Sequence, residues 1–438
     1  MFETLKNVFR VKEMRRKLLY LIWMIFIIRI GCQIPVPGVD SDFFKQWFSS
    51  NAGDAFNFFD AFTGGSFERM SIFALNITPY ITSSIIIQLL TIAIPALEEM
   101  QRDGEEGRKK MTAITRYVTV GLALFESIAM AIGFGRQGMI PNLDFFKGVV
   151  VVACLTAGSA MLMWLGERIT EKGVGNGISI VLTINIISRV PSDLTLLYEN
   201  FIKGKTIAKG TLAGLIIAAV ILLVVVLVLI LNGAERRIPV QYSKKMVGRK
   251  LMGGQSTNIP LKVNTAGVIP VIFASSIMSF PAVIAQLTGK GNGTGIGSEI
   301  IRGLSSNNWC NPSQPQYSWG LLLYIVLCVF FAYFYTSITF NPLEVADNIK
   351  KQGGFIPGIR PGKPTSDFIA RIISKVTLIG AMFCAVVAIL PIGIAALTGI
   401  QGVSLGGTTI IIIVGVALDT VKQLESEMMM RHYKGFLE

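Results

Sequence analysis

The residues of this chain that could do chemistry are few, and their positions exclude more functions than they suggest. The single histidine, His432, lies in a polar C-terminal tail. No imidazole therefore stands in an apolar segment to activate a serine or hold a metal. There are five cysteines, Cys32, Cys154, Cys310, Cys328 and Cys384. Four lie in or beside apolar runs, where a thiol serves as a small buried hydrophobe. Only Cys310 falls in a polar loop, so no disulfide framework is implied, and the spacing matches no zinc or haem motif. Asp419 lacks the second aspartate that intramembrane proteolysis would need. Gly173-Val174-Gly175-Asn176-Gly177 is rich enough in glycine to cradle a phosphate, but no Lys-Ser/Thr follows and no soluble strand precedes it. A tight turn with Asn176 near a helix start is expected instead. Glu126 and Arg29 stand in apolar surroundings, and an ionisable group at membrane depth generally needs a polar partner. No catalytic set, cofactor or metal is expected.

The elements around these residues are long and apolar. The chain has 438 residues, 52% of them hydrophobic and 15% charged, with a mean hydropathy of +0.58. A soluble domain carries nearer about a quarter charged residues. The segment from Gly210 to Ala234 holds no charge and satisfies the roughly 20-residue length of a membrane-crossing helix. Val376 to Leu418 is also uncharged, and Pro391 with a Gly/Thr-rich stretch divides it into two spans. Met1 to Lys17 places Phe2, Leu5, Val8 and Phe9 at helical spacing among basic residues. That pattern predicts a short interfacial helix rather than a cleaved signal peptide.

Ten spans are expected, starting near Leu18, Pro79, Thr115, Gly148, Ile178, Leu212, Ala266, Trp319, Ile372 and Thr408. The fifth, Ile178 to Val190, is short. An even number puts both termini on one side. Of the 40 Lys and Arg residues, 29 fall on that side, 10 on the other and one, Arg29, within the first span. This excess predicts cytoplasmic termini. The weakest point is the loop holding Arg189, Lys203, Lys205 and Lys209. Five spans per half would make any structural repeat inverted, as in many transporters.

Three segments outside the spans stand out. Phe56 to Phe67 is aromatic, too short to cross, and contains Gly64-Gly65. With Pro79 interrupting Ile72 to Ile94, it reads either as part of a discontinuous helix with a movable half or as an aromatic loop packed on the bundle. Arg236-Arg237-Ile238-Pro239-Val240-Gln241-Tyr242-Ser243-Lys244-Lys245, followed by Arg249 and Lys250, alternates as a projecting strand or hairpin. Its cations fit a polyanionic partner, or record nothing beyond the positive-inside bias. Gly353 to Pro364 contains four glycines and three prolines, which exclude a continuous helix. It presents Arg360 and Lys363 either to a partner or on a bland connector.

A set of ordered motifs resembles the SecY/Sec61-alpha family of protein-conducting channels. They are Ile72-Phe73-Ala74-Leu75 with Pro79-Tyr80-Ile81, Ser84 to Leu90, Trp164-Leu165-Gly166-Glu167 and Gly175 to Ile180. Gln255-Ser256-Thr257, Pro260 to Asn264, Ala266 to Pro270, Phe340-Asn341-Pro342 and the loop around Arg360 complete the set. The resemblance runs from about Arg15 to the tail.

It implies an all-α membrane protein of ten transmembrane helices, in two pseudo-symmetric five-helix halves that form a clamshell around a central pore. The parts would be a cytoplasmic amphipathic segment 1–17, an N-terminal half 18–203 with a plug near 56–70, a C-terminal half 204–424 with cytoplasmic loops near 232–262 and 341–371, and a tail 425–438. The pore ring falls on Ile77, Ile81, Ile178, Leu182, Ile272 and Ile412. The plug would include Phe56, Phe58, Phe59, Phe62, Gly64, Gly65 and Phe67, and the polar lateral-gate residues would be Gln88, Glu126 and Asn264. Partner contacts with the SecA motor ATPase and with ribosomal RNA would use Arg236, Arg237, Lys244, Lys245, Arg249, Lys250, Arg360 and Lys363. SecE and SecG subunits, signal peptides, nascent chains and lipid complete the implied partners, in the bacterial plasma membrane. An inverted-repeat secondary transporter is the alternative, although its spans should carry more charge than Glu126 and Arg29.

Overall fold

Apolar runs without water to bond their backbone must satisfy it internally, and here they do so as helices. The computed structural model describes residues 11–40, 43–44, 60, 63–136, 138, 140, 144–201, 207–242, 245–247, 250–252, 256–287, 296–304, 308–309, 315–398 and 407–434. The helices are α1 (Lys12–Gly31), α2 (Thr78–Ala93), α3 (Pro95–Arg102), α4 (Gly104–Arg136), α5 (Phe145–Lys172), α6 (Gly177–Phe201) and α7 (Ile207–Gly233). After a strand-rich insert come α8 (Ile269–Leu287), α9 (Ile296–Leu304), α10 (Trp319–Thr339), α11 (Pro342–Lys351), α12 (Lys363–Thr398) and α13 (Gly407–Lys434). A helix covers nine of the ten expected span starts, and α8 opens three residues after the seventh, Ala266. Among the described residues, six helices are long and apolar enough to cross a bilayer, and a seventh arises if α2 and α3 count as one bent span.

Helix boundaries follow local chemistry. Asn176 accepts from the Ile178 and Ser179 amides at 3.1 and 3.4 Å and caps α6, as its glycine-rich context predicts. Asn341 accepts from the Leu343 and Glu344 amides at 3.1 and 3.5 Å and caps α11. Pro79 occupies the first turn of α2, where a missing N–H costs nothing. It therefore starts that helix, where the sequence suggested an interruption. The real break is at Ile94 and Pro95, across which α2 and α3 bend by 105°.

Three boundaries differ from expectation. The fifth span is not short, because α6 continues through Pro191 to Phe201. Of the expected N-terminal segment, Lys12 to Lys17 belong to α1, while Phe2, Leu5, Val8 and Phe9 lie outside the described residues. The expected tail is likewise continuous with α13 as far as Lys434.

Among the described residues, packing organises around four larger apolar clusters and a small fifth one of Met14, Val174 and Leu424. One joins α7, α8, α10, α12 and α13 through Val228, Ala274, Cys328, Ala385 and Ile411. A second gathers Phe44, Phe67, Met70 and Phe134 with Val151 and Leu155 of α5. A third joins α1, α5 and α6 to Ile412 of α13. Lys17 of α1 and Glu427 of α13 pair at 2.7 Å. Leu215, Ile216, Leu222 and Ile230 of α7 are exposed, as suits a lipid-facing surface. Cys32, Cys328 and Cys384 are buried free thiols, in keeping with a packing role; Cys310 lies outside the described residues.

The strands build two small sheets. β1 (Glu235–Tyr242) pairs antiparallel with β4 (Ser256–Lys262), and its far end pairs with β5 (Gly354–Phe355). β2 (Lys245–Val247) and β3 (Lys250–Met252) form a separate hairpin. Alternation along β1 buries Ile238 and Val240 against Leu261, Ile349, Ile356 and Ile369, the fourth cluster.

Candidate functional site

The six aliphatics expected to form a ring meet in a single cluster. Ile77, Leu182 and Ile412 are buried there, and Ile81, Ile178 and Ile272 pack against them partly exposed. They come from residues at the start of α2, from α6, from α8 and from α13. Ile178 and Leu182, four apart, share one face of α6. The approach of α5 sets how close these parts can lie. A Cβ added at Gly166 would stand 3.3 Å from Ile178 Cγ1 and 3.5 Å from Ile77 Cδ1. Gly158, one face further along α5, presses on the Ile72 carbonyl so closely that no Cβ fits.

A polar junction borders the cluster. The Asn185 side chain donates to Asn76 Oδ1 at 2.9 Å and accepts from the Arg29 guanidinium at 3.2 Å. Ser159 donates to the Asn76 carbonyl at 3.2 Å. Asn76 adopts φ +53°, a left-handed conformation that asparagine tolerates better than most residues. Arg29 thus has the polar partner that its depth demands. The sequence offered a signal for this junction, since Asn76 and Asn185 interrupt apolar runs.

The candidate plug residues divide. Phe56, Phe58, Phe59 and Phe62 lie outside the described residues. Phe67 does not face the aliphatic cluster. It stacks edge-on with Phe44 and Phe134 at centroid distances of 6.0 and 6.1 Å, within the second apolar cluster. Gly64, at φ +66°, lies tight against the Asn185 carbonyl and Ser188 of α6. Gly65, at φ +80°, has open space beside it.

Of the lateral-gate candidates, Asn264 donates to Asn232 Oδ1 at 2.8 Å. Gln88 on α2 and Glu126 on α4 are half-buried. Among the described residues the bond from Asn264 runs to α7, not to either of them. Arg189, expected in a loop, lies inside α6 with its guanidinium against Asp60, and Asp193 stands 3.9 Å from its Nε. The helix runs on past Val190, where the sequence placed the end of the span, and through Pro191.

The two basic loops are brought together. Gln241 and Tyr242 of β1 pair with Phe355 and Gly354, so Arg236, Arg237, Arg360 and Lys363 belong to one platform, and all four are exposed. The Arg360 carbonyl is held by Thr365 Oγ1 at 2.8 Å. Lys245 and Lys250 sit on the β2–β3 hairpin; Lys244 and Arg249 lie outside the described residues. Sequence periodicity predicted strands but not this pairing, because β5 is only two residues long and lies far from β1 in the chain.

Long apolar helices gathered around an aliphatic cluster, together with an exposed basic platform, define a multi-pass helical membrane protein. Residues 71–421 match the SecY family model. The chain is 43% identical to protein translocase subunit SecY of Halalkalibacterium halodurans and 42% identical to that of Streptomyces galbus, covering 100% of both chains in each case. The chain belongs to the SecY family. Solved structures agree in fold. A protein-conducting channel matches at a TM-score of 0.65 and 20% identity, and a SecY described by its plug domain at 0.63 and 20%, each over 94% of this chain and 92% of the other. Sec61 in the canine ribosome–channel complex matches at 0.60 and 19%, with the same coverage. The transporter alternative is not supported by this membership.

Proposed function

We propose that this chain is the protein-conducting subunit of a bacterial Sec translocase, moving unfolded polypeptides across the plasma membrane and releasing apolar segments sideways into lipid. The observation that carries the site reading is the convergence of Ile77, Ile81, Ile178, Leu182, Ile272 and Ile412 from separate helices into one cluster. A narrow aliphatic ring offers ions no ligands and water no hydrogen bonds, so it resists hydration when idle. It imposes no fixed polar geometry on a passing peptide.

In this reading residues 18–203 and 204–424 are the two halves. Ile77, Ile81, Ile178 and Leu182 come from the first, Ile272 and Ile412 from the second. Both termini are cytoplasmic, the orientation that the basic-residue bias favours. Gln88, Glu126 and Asn264 line the lateral opening, and residues 56–67 supply the plug, with Phe67 in its fixed base. The platform of Arg236, Arg237, Arg360 and Lys363 docks the SecA motor or the ribosome. One of the similar structures is a ribosome–channel complex, which supports the second of these. SecE and SecG are the expected companions. The chain does no covalent chemistry, and energy comes from the docked partner.

Reconstitution tests the function. Vesicles holding the chain with SecE, SecG, SecA and ATP should protect an added preprotein from external protease. Equal digestion with and without ATP would contradict it.

A further inference from the structure

Asp60 is completely buried and Asp193 nearly so, with the Arg189 side chain between them only 13% exposed. Asp60 also organises the segment that follows it. Its Oδ1 accepts from the Glu68 amide at 2.9 Å and the Thr63 hydroxyl at 3.2 Å, and its carbonyl accepts from the Gly64 amide at 2.9 Å. Ser188, next to Arg189, donates to the Gly64 carbonyl at 3.4 Å. Residues 60 and 63–68 are thus fastened to one stretch of α6 by an ion pair, a hydroxyl and a glycine contact. Residues 178, 182, 185, 189 and 193 succeed one another by three or four along that helix and so share a face. The same face of α6 therefore carries two of the aliphatic ring residues, the Asn185 junction and the ion pair.

We propose that Arg189 is a positioning residue, which holds the root of the plug on the helix that forms part of the constriction. A buried ion pair contributes little net stability compared with apolar packing, but it fixes geometry, and losing one partner leaves an uncompensated charge. Arg189 thereby couples the position of the plug to that of α6. Any displacement of Ile178 and Leu182 to admit a peptide also moves the group that holds Asp60. The proposal rests on the channel reading above.

The test uses the assembled channel in planar bilayers, measuring idle ion conductance together with preprotein transport. Arg189→Gln should raise the idle conductance at least about tenfold, given the cost of unpairing a buried charge. Arg189→Lys, which keeps the cation, should stay within about twofold of the parent. Asp60→Asn/Arg189→Met retains the hydrogen-bond acceptor for Thr63 and Glu68 but removes the pair, and it should leak as Arg189→Gln does. Parental conductance in a correctly assembled Asp60→Asn/Arg189→Met channel would overturn the proposal. If that variant does not assemble, equal conductance in Arg189→Gln and Arg189→Lys would overturn it instead. Preprotein transport separates the two readings: normal transport with unchanged leak sinks the latch alone, whereas a parent channel that transports nothing sinks the channel reading.

Discussion

Ile77, Ile81, Ile178, Leu182, Ile272 and Ile412 differ in burial but share aliphatic chemistry, and that combination suits a closure that must yield. Buried members hold the cluster together, while Ile81, Ile178 and Ile272 retain exposed surface. Replacing both Ile81 and Ile178 with Gly removes two side chains without adding polarity. The expected result is a higher ion leak through purified channels in planar bilayers, and an unchanged leak would remove these residues from the constriction. Arg360 poses the opposite case, an exposed cation on a loop whose backbone is held by Thr365. Arg360→Glu should abolish preprotein export while the protein remains inserted and folded. A salt titration of partner binding should show a shallower slope in that variant, since one cationic contact is lost. Normal export would exclude Arg360 from docking.

At the scale of elements, glycines set how closely the framework packs. Gly158→Ala drives a Cβ into the Ile72 carbonyl, so α5 must move away from residues 72–77. Overpacking of this kind costs about 1–3 kcal/mol, which should appear as a lowered unfolding temperature of the detergent-solubilised protein. An unaltered transition would mean that α5 and residue 72 do not approach so closely. Gly354 plays a similar part in the basic platform. Its added Cβ would meet Tyr242 Cε1 at 2.9 Å, Ile349 Cγ2 at 3.0 Å and Val240 Cγ1 at 3.1 Å. Gly354→Ala should loosen the pairing of β1 with β5 and weaken partner docking, with no loss of membrane insertion. Docking at parental strength would show that the two loops act separately.

For the whole molecule, what the sequence made legible follows from the range of the forces involved. Span positions were readable because each apolar run decides its own fate in lipid. Asn176 was readable as a turn residue at a helix start because capping is local. The course of α6 was not, since Arg189 reads as a loop cation until Asp60, distant in sequence, pairs with it. The platform was hidden for the same reason: β1 and β5 are joined only through tertiary contact. Motif order along the chain carried the family resemblance, and chemistry alone could not choose Ile272 or Ile412 from many similar isoleucines. Phe67 shows the limit of composition, because its place in an aromatic plug segment said nothing of its packing with Phe44 and Phe134.

The central claim is that a polypeptide passes through the aliphatic cluster. Its most direct test is site-specific crosslinking from a photoreactive residue at position 81 to a stalled, secreted nascent chain, with an exposed α7 position such as Leu222 as the control. The account predicts an adduct at position 81 that requires a functional signal peptide and none at Leu222. Crosslinking at Leu222 but not at position 81 would contradict it.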